Sequence, residues 1–153
     1  MALASVAVFN SPAAHAASCG GAVGYPGDAA TTVEVANWMA NGAIAKKLPG
    51  ELPVMAGLVE SGLRNLNYGD ADSVGFFQMR TSFWDKAPYK GYLKNPDLQL
   101  QWFTDQAAAV RSNYIAKGKG DPATSDATYG VWIADIERPA AQYRGRYQLR
   151  IKE

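Results

Sequence analysis

Residues 52–79 read LPVMAGLVESGLRNLNYGDADSVGFFQM, an apolar run followed by a polar loop and a compact apolar block. Apolar side chains in the first part recur at the spacing of one face of an α-helix. They are Leu52, Met55, Ala56, Val59 and Leu63. Because Val54 and Leu58 cover the other side, the sequence predicts a helix that is apolar nearly all round and central to the fold.

Glu60 stands at the end of this predicted helix, about 60° around the axis from Leu63 at roughly 100° per residue. A carboxyl group at the end of a buried helix is partly desolvated, and desolvation raises its pKa because it disfavours the charged form. A general acid that holds a proton near neutral pH needs such an environment. The position therefore makes Glu60 a candidate catalytic acid, with an ion pair to Arg64, four residues on, as the alternative.

Two short motifs follow each other in this region, Glu60-Ser61-Gly62 at the helix end and Gly75-Phe76-Phe77-Gln78 after the loop. In order and spacing they resemble the soluble lytic transglycosylase domain, which belongs to the lysozyme-like fold together with goose-type lysozyme. That family carries a Glu-Ser pair at a helix end and then a Gly-x-x-Gln block, usually Gly-Leu-Met-Gln. Its third block, of the type Ala-Tyr-Asn-Ala-Gly, is echoed only faintly by Ala127-Thr128-Tyr129-Gly130.

The resemblance implies a mainly α, lysozyme-like fold and cleavage of the β-1,4 bond between N-acetylmuramic acid and N-acetylglucosamine in peptidoglycan. In lytic transglycosylases one glutamate acts first as acid and then as base, and the muramic N-acetyl group assists. The 6-hydroxyl of the sugar attacks in place of water and leaves a 1,6-anhydro end. Glu60 would have that single role, and no cofactor or metal is implied.

Several other residues are candidates for contact with the substrate. Gln78 could pair with a substrate amide or brace the backbone of the loop, and Ser61 could contact sugar or fix the helix end. Tyrosines can stack on sugar rings and add a hydrogen bond, and a purely structural role is the alternative for each of them. The tyrosines in question are Tyr68 and Tyr129, together with Tyr89 and Tyr92.

Two other functions remain open at this point. One is hydrolysis by a lysozyme route, in which Asp70 or Asp72 places a water molecule. Their alternating spacing also occurs in calcium loops, but the late bidentate glutamate of such a loop is missing, which favours a surface turn. The other function is a cell-wall glycan-binding module without catalysis, which would tolerate the loss of Glu60.

The 153 residues correspond to one domain, and a net charge of +1 gives no field that would recruit nucleic acid. Residues 1–17 resemble a secretory signal peptide, residues 18–30 read as a Gly-rich linker, and residues 31–153 would form the domain. The only histidine, His15, lies in the predicted leader, which argues against a metal site or a Ser-His-Asp relay. With Cys19 as the single cysteine there is no internal disulfide.

These observations lead us to expect a secreted or cell-envelope monomer that acts on peptidoglycan glycan strands. We expect no nucleic acid partner and no integral membrane segment in the mature chain.

Turn and capping residues place the other helices. Thr31-Thr32-Val33-Glu34 predicts a capping box, and Asn41-Gly42 would weaken that helix or end it early. Asn95-Pro96-Asp97 predicts a second clear helix start. A further helix is expected near residues 125–137. A last one is expected from Pro139, with Ala140, Tyr143, Tyr147 and Ile151 inward. Together these features predict about five helices with a small irregular or β-like segment near residues 66–79.

Overall fold

A computed structural model describes residues 24–153, so the predicted leader, His15 and Cys19 lie outside the described residues. Within residues 24–153 the fold is mainly α, as predicted, with five α-helices and one two-stranded antiparallel ribbon. The helices are α1 (Thr32–Ala45), α2 (Glu51–Glu60), α3 (Thr81–Trp84), α4 (Pro96–Ala116) and α5 (Tyr129–Glu137). The strands are β1 (Ser73–Val74) and β2 (Met79–Arg80). Short 3₁₀ helices cover Tyr92–Lys94, Pro122–Thr124, Asp126–Thr128, Ala141–Arg146 and Gln148–Lys152.

Helix α1 begins with the predicted capping box. The backbone N–H of Glu34 donates to Thr31 Oγ1 at 3.3 Å, and the backbone N–H of Thr31 donates to Glu34 Oε2 at 2.7 Å. Of the two effects expected of Asn41-Gly42, a weaker helix or an early end, the early end is wrong, because α1 continues to Ala45. A Cβ atom at Gly42 would lie 2.5 Å from Leu100 Cδ2, so glycine here allows α1 and α4 to approach closely.

Helix α2 spans the predicted apolar run, with Pro53 in its first turn, where a missing N–H is tolerated. Leu52, Met55 and Ala56 are buried, as the spacing predicts. The chain then leaves the helix through two residues in the left-handed region, Gly62 at φ 63° and Leu63 at φ 56°. This turn ends α2 at Glu60 and folds the Leu63 side chain back onto Gly57, where a Cβ atom would lie 2.8 Å from Leu63 Cδ2.

The core surrounds α2, which contacts α1, α4, α5 and the last 3₁₀ helix. Aromatic rings fill much of it: Phe77 stacks on Phe103 with ring centroids 4.7 Å apart, and Trp132 is fully buried. Tyr25, in the irregular segment before α1, packs edge-on against Trp38 at 5.1 Å. Packing onto the core therefore begins before the first helix.

Helix α4 begins where the sequence predicts, with the Asn95 side chain accepting from the backbone N–H of Asp97 at 3.1 Å.

The expected β-like segment is a short ribbon in which Ser73 pairs with Arg80 and Val74 with Met79. The block Gly75-Phe76-Phe77-Gln78 forms the turn of this ribbon. The ribbon thereby carries the second motif to the end of α2.

The C-terminal segment differs from the expectation. The helix expected near residue 125 begins at Tyr129, and the helix expected from Pro139 is a pair of 3₁₀ helices. A 3₁₀ helix has about three residues per turn, so inward positions recur at every third residue. Tyr147 is accordingly 1% exposed, whereas Tyr143, expected inward, is 42% exposed.

None of the helices in residues 24–153 combines the length and the apolar character needed to span a bilayer.

Candidate active site

Glu60 is the last residue of α2, and its Oε1 accepts a hydrogen bond from the phenol of Tyr147 at 2.5 Å. Burial raises the pKa of the Glu60 carboxyl above its usual value, while the Tyr147 hydrogen bond and the charge of Arg146 act in the opposite direction. The pKa direction is the one expected from the sequence. The alternative ion pair to Arg64 is not formed, since Arg64 Nε instead lies 3.5 Å from the carbonyl oxygen of Ser61.

Tyr147 has a functional position that the sequence did not indicate, since it was expected only to face the core. Burial, together with the nearby charge of Glu60, raises the pKa of its phenol far above the usual range. The phenol therefore keeps its proton and acts as a donor to Glu60. Its orientation is set by the 3₁₀ segment, in which Arg144, three residues earlier, forms an ion pair with Asp135 of α5.

Glu137 is a second carboxyl group close enough to Glu60 to feel its charge, and sequence reasoning missed it. It is the last residue of α5, and its Oε1 is buried with no hydrogen-bond partner among residues 24–153. Burial, with the charge of Glu60 added, raises the pKa of Glu137 well above the usual value. Both glutamates end a short buried helix, and this shared position is the signal that could have identified Glu137.

Glu137 lines a cleft of about 530 Å³, a size typical of small-molecule sites. Phe77, Met79, Trp84 and Trp102 form apolar parts of its lining. Three basic side chains line it as well, those of Arg80, Lys86 and Arg138. Glu60 is not part of the lining, but its charge contributes to the raised pKa of Glu137, which is.

An apolar groove of about 330 Å³ lies elsewhere, between α1, α2 and the last 3₁₀ helix. Its lining includes neither Glu60 nor Glu137. The paired carboxyl groups make the cleft at Glu137 the better candidate for chemistry.

Gln78 lines the same cleft, and its side-chain amide also supports the loop. Its Nε2 donates to the carbonyl oxygens of Tyr68 and Gly75, both at 3.2 Å. This is the bracing role that the sequence left open as one of two alternatives. The backbone of Gln78 is in the left-handed region at φ 46°, and the two bonds favour this turn.

Ser61 is 5% exposed and joins the two motifs directly. Its Oγ lies 2.9 Å from the carbonyl oxygen of Phe76 and 3.1 Å from that of Gly57, and it accepts from the backbone N–H of Arg64 at 3.3 Å. The hydroxyl thus fixes the end of α2 to the second motif, and no substrate contact follows from its buried position.

Gln99, on α4, completes the support and was not identified from the sequence. Its Oε1 accepts from the backbone N–H of Phe76 at 2.8 Å, and its Nε2 donates to the carbonyl of Tyr92 at 3.2 Å and to Asn65 Oδ1 at 3.1 Å. A Cβ atom at Gly75 would lie 2.2 Å from Gln99 Oε1. Only glycine leaves room for this amide, which accounts for the first residue of the Gly-x-x-Gln block.

The two tyrosines proposed for substrate contact lie in different places. Tyr68 is 63% exposed, and Gln78 holds its carbonyl. Tyr129 is buried against Trp132 at the start of α5, eight residues or about 12 Å of helix from Glu137. The structure thus joins Gln78 to the Tyr68 backbone, but Tyr68 does not line the cleft and Tyr129 is not brought to Glu60.

Tyr89 and Tyr92 are buried, so neither lines an open surface. The Tyr89 phenol donates to Asp105 Oδ2 at 3.0 Å, and that of Tyr92 donates to the carbonyl of Met79 at 2.7 Å. Both have the structural role that the sequence left open.

Asp72 and Asp70 have different environments. Asp72 Oδ2 accepts from the backbone N–H of Ser82 at 2.6 Å and from Thr81 Oγ1 at 2.9 Å, and its Oδ1 forms an ion pair with Arg80. These contacts hold the pKa of Asp72 well below its usual range, led by the Ser82 backbone bond. The Asp70 side chain is exposed. Residues 24–153 contain no group of three His, Cys, Asp or Glu side chains that could hold a metal ion.

Comparisons of this chain with models of protein families, with curated proteins and with solved structures found no match. The geometry of the site and the two motifs are therefore the features that bear on function.

Proposed function

We propose that this chain is a peptidoglycan lytic transglycosylase with a lysozyme-like fold, secreted or held in the cell envelope. It would cleave the β-1,4 bond between N-acetylmuramic acid and N-acetylglucosamine. The observation that carries the proposal is the environment of Glu60, an acid at the end of a buried helix, with a raised pKa and a phenol donor at 2.5 Å. The Glu60-Ser61-Gly62 and Gly75-Phe76-Phe77-Gln78 motifs, joined by the Ser61 hydroxyl, support it.

In this mechanism Glu60 has two successive roles, and both require the glycan to reach from the cleft to the Glu60 carboxyl group, which does not line it. As the protonated acid it donates to the glycosidic oxygen, so the bond to the leaving sugar breaks as an oxocarbenium-like transition state develops. As the resulting carboxylate it removes the proton from the 6-hydroxyl of the muramic residue, whose oxygen then bonds to the anomeric carbon. Tyr147 donates to Glu60 and so stabilises the ionised form between the two steps.

The lining of the cleft suits a glycan that carries peptides. Trp84 and Phe83 present aromatic surface, which packs well on the apolar faces of sugar rings. Arg80, Lys86 and Arg138 add positive charge, and peptide stems end in carboxylates. The cleft thus combines features that bind both parts of peptidoglycan.

Hydrolysis is the second candidate, and Glu137 is the observation that favours it. Two carboxyl groups close enough to influence each other's charge are a common acid and base arrangement in glycosidases. Glu137 would then be the acid and Glu60 the nucleophile or base. Asp72 supports this candidate less well, because its oxygens are already used at the start of α3.

Glu60→Gln tests the proposal, with Glu51→Gln at the other end of α2 as the matched control. The amide keeps the shape of the side chain but has no proton to transfer, so we expect lysis of purified peptidoglycan to fall by about a hundred- to ten-thousand-fold. Glu51 is exposed, and its variant should lyse at the parent rate. Lysis near the parent rate by a folded Glu60→Gln protein would reject Glu60 as the acid. A folded parent protein that binds peptidoglycan but does not lyse it would instead favour a binding module.

Glu137→Gln separates the two candidates. In the transglycosylase mechanism Glu137 stays neutral, so its amide analogue should keep most of the activity. In the hydrolase mechanism Glu137 is the acid, and its loss should be as damaging as that of Glu60.

A further inference from the structure

Two buried side-chain polar atoms lack any hydrogen-bond partner within residues 24–153, Trp102 Nε1 and Glu137 Oε1. Both side chains line the cleft described above. The indole N–H can only donate, and a carboxyl oxygen can accept. Buried polar groups are nearly always paired, because an unpaired one costs folding free energy. A donor and an acceptor left unpaired in one cleft therefore call for an explanation.

The environment of Trp102 offers its N–H no acceptor. Its ring neighbours are Phe77 at 6.3 Å, Trp84 at 5.3 Å and Phe103 at 6.5 Å between centroids. The two other buried tryptophans differ in this respect. Trp38 Nε1 donates to Asp97 Oδ1 at 3.0 Å, and Trp132 Nε1 donates to the carbonyl of Ala107 at 3.1 Å.

Glu137 forms no ion pair among residues 24–153, and burial of its carboxyl group favours the neutral form. Its backbone belongs to α5, so the position of the side chain is fixed by a helix rather than by a loop. A protonated carboxyl keeps one acceptor oxygen beside its O–H. The cleft therefore holds one fixed donor and one fixed acceptor just beneath the apolar, aromatic part of its lining.

A secondary amide has the complementary groups, a carbonyl oxygen that accepts and an N–H that donates. An acetamido group adds a methyl group, which suits the apolar surface of Phe77 and Met79. We propose that this cleft binds the acetamido group of a 2-acetamido sugar, with Trp102 Nε1 donating to its carbonyl and Glu137 Oε1 accepting from its N–H. The choice of a sugar over a peptide amide rests on the proposed function.

We expect access to these two atoms to depend on Trp84, whose ring lies 5.3 Å from that of Trp102. The atoms are covered in the absence of ligand, and Trp84 is a half-buried neighbour of Trp102 on the four-residue helix α3. We expect the Trp84 side chain to shift as the acetamido group enters, which gives a change in tryptophan fluorescence on binding.

The test measures binding to the Glu60→Gln protein, which does not turn over its ligand. Its titration with tri-N-acetylchitotriose is followed by calorimetry and fluorescence, and the deacetylated trimer and a free stem tetrapeptide are titrated in parallel. Trp102→Phe keeps an aromatic ring but removes the donor, and should weaken binding of the acetylated trimer about three- to tenfold, the range of one hydrogen bond. Binding of the deacetylated trimer should not change.

Two further variants complete the experiment, a second test of the site and a control. Glu137→Met removes the acceptor at similar length and should selectively weaken binding of the acetylated trimer, which provides a second route if Trp102→Phe folds poorly. Trp84→Phe retains both partner atoms, so the preference for the acetylated trimer should remain.

Three results would overturn the inference. Parent affinity in both Trp102→Phe and Glu137→Met would mean that the two atoms are paired internally or by water. An equal loss for acetylated and deacetylated trimers would reduce Trp102 to a packing role. Trp102-dependent binding of the stem peptide would assign the amide to the peptide. None of these depends on cleavage, so failure of the lysis assay and failure of this site are distinguishable.

Discussion

The pKa of Glu60 is set by opposing influences from named neighbours. Burial at the end of α2 raises it, while the phenol of Tyr147 and the charge of Arg146 lower it. A catalytic acid that later acts as a base needs such a balance, because both protonation states must be accessible near the working pH. Removing one neighbour should therefore move the pKa in a known direction.

Tyr147→Phe removes the donor to Glu60 and keeps the ring. The ionised form of Glu60 loses a hydrogen bond, so its pKa should rise. Since the proposed first step requires protonated Glu60, the basic limb of the profile of kcat/KM against pH should move to higher pH. Tyr143→Phe is the control, because the Tyr143 ring is largely exposed and stacks on Arg146 at 4.0 Å. An unchanged limb, or a shift to lower pH, would contradict the role assigned to Tyr147.

Sequence reasoning located Glu60 because its environment follows from local spacing. It did not locate Tyr147, which lies 87 residues away and reaches Glu60 only through the packing of the C-terminal segment. It also missed Gln99, because the sequence does not distinguish a glutamine on a helix surface from one that accepts a hydrogen bond from a buried backbone N–H. These residues depend on tertiary contacts that no local pattern encodes.

At the scale of elements, the loop between α2 and α3 is shaped by side chains that bond to backbone groups. Ser61 and Gln99 hold the Gly75-Phe76-Phe77-Gln78 turn from two helices, and Gln78 holds the loop before it. Asp72 accepts a hydrogen bond from the backbone N–H of Ser82 in the first turn of α3. The side chain of Arg80, the residue before this helix, does not cap it. The loop that carries the second motif is therefore held at several fixed points.

Asp72→Asn and Asp70→Asn form a matched pair that tests this view. Asp72→Asn should lower the melting temperature, because the charged acceptor for Ser82 and Arg80 is lost, whereas Asp70→Asn should not. The lowered pKa of Asp72 means that its stabilisation exists above the ordinary aspartate pKa and is lost as the pH falls below it. The difference between parent and Asp72→Asn should shrink in acid. Equal melting temperatures of the parent and Asp72→Asn at neutral pH would show that Asp72 does not stabilise the start of α3.

The elements were predictable where capping residues act locally. The capping box at Thr31 and the Asn95 cap each gave a correct helix start. The C-terminal segment was not predictable, because apolar spacing at Tyr143, Tyr147 and Ile151 also fits an α-helix. Gly145 weakens an α-helix there, and the ion pair of Arg144 with Asp135 favours the tighter turn that is found.

At the scale of the whole molecule, two half-buried carboxyl groups, those of Glu60 and Glu137, lie close enough for their charges to interact. The folded protein binds more protons at Glu60 and Glu137 than the unfolded chain does, so its stability should fall as the pH rises above the ordinary glutamate pKa. For one such group the free energy of unfolding falls by about 1.4 kcal/mol per pH unit, until the pH reaches the pKa of the group in the folded protein.

Glu137→Gln removes one of these groups without changing its shape. The variant should gain stability relative to the parent as the pH increases from about 5 to 8, because the parent alone carries the cost of keeping Glu137 protonated. Denaturant unfolding at both pH values measures the difference. The same difference in free energy of unfolding between variant and parent at both pH values would show that folding does not raise the pKa of Glu137.

The product of cleavage tests the central claim most directly. Purified peptidoglycan is digested with the parent protein and with Glu60→Gln, and the muropeptides are analysed by mass, since anhydro and hydrolysed ends differ by one water. The single-acid mechanism of Glu60 gives 1,6-anhydromuramoyl ends as the main product of the parent and none above background for the variant. Reducing-end muramic acid as the main product would contradict this mechanism and assign the chain to the two-carboxyl hydrolases, with Glu137 as the second group.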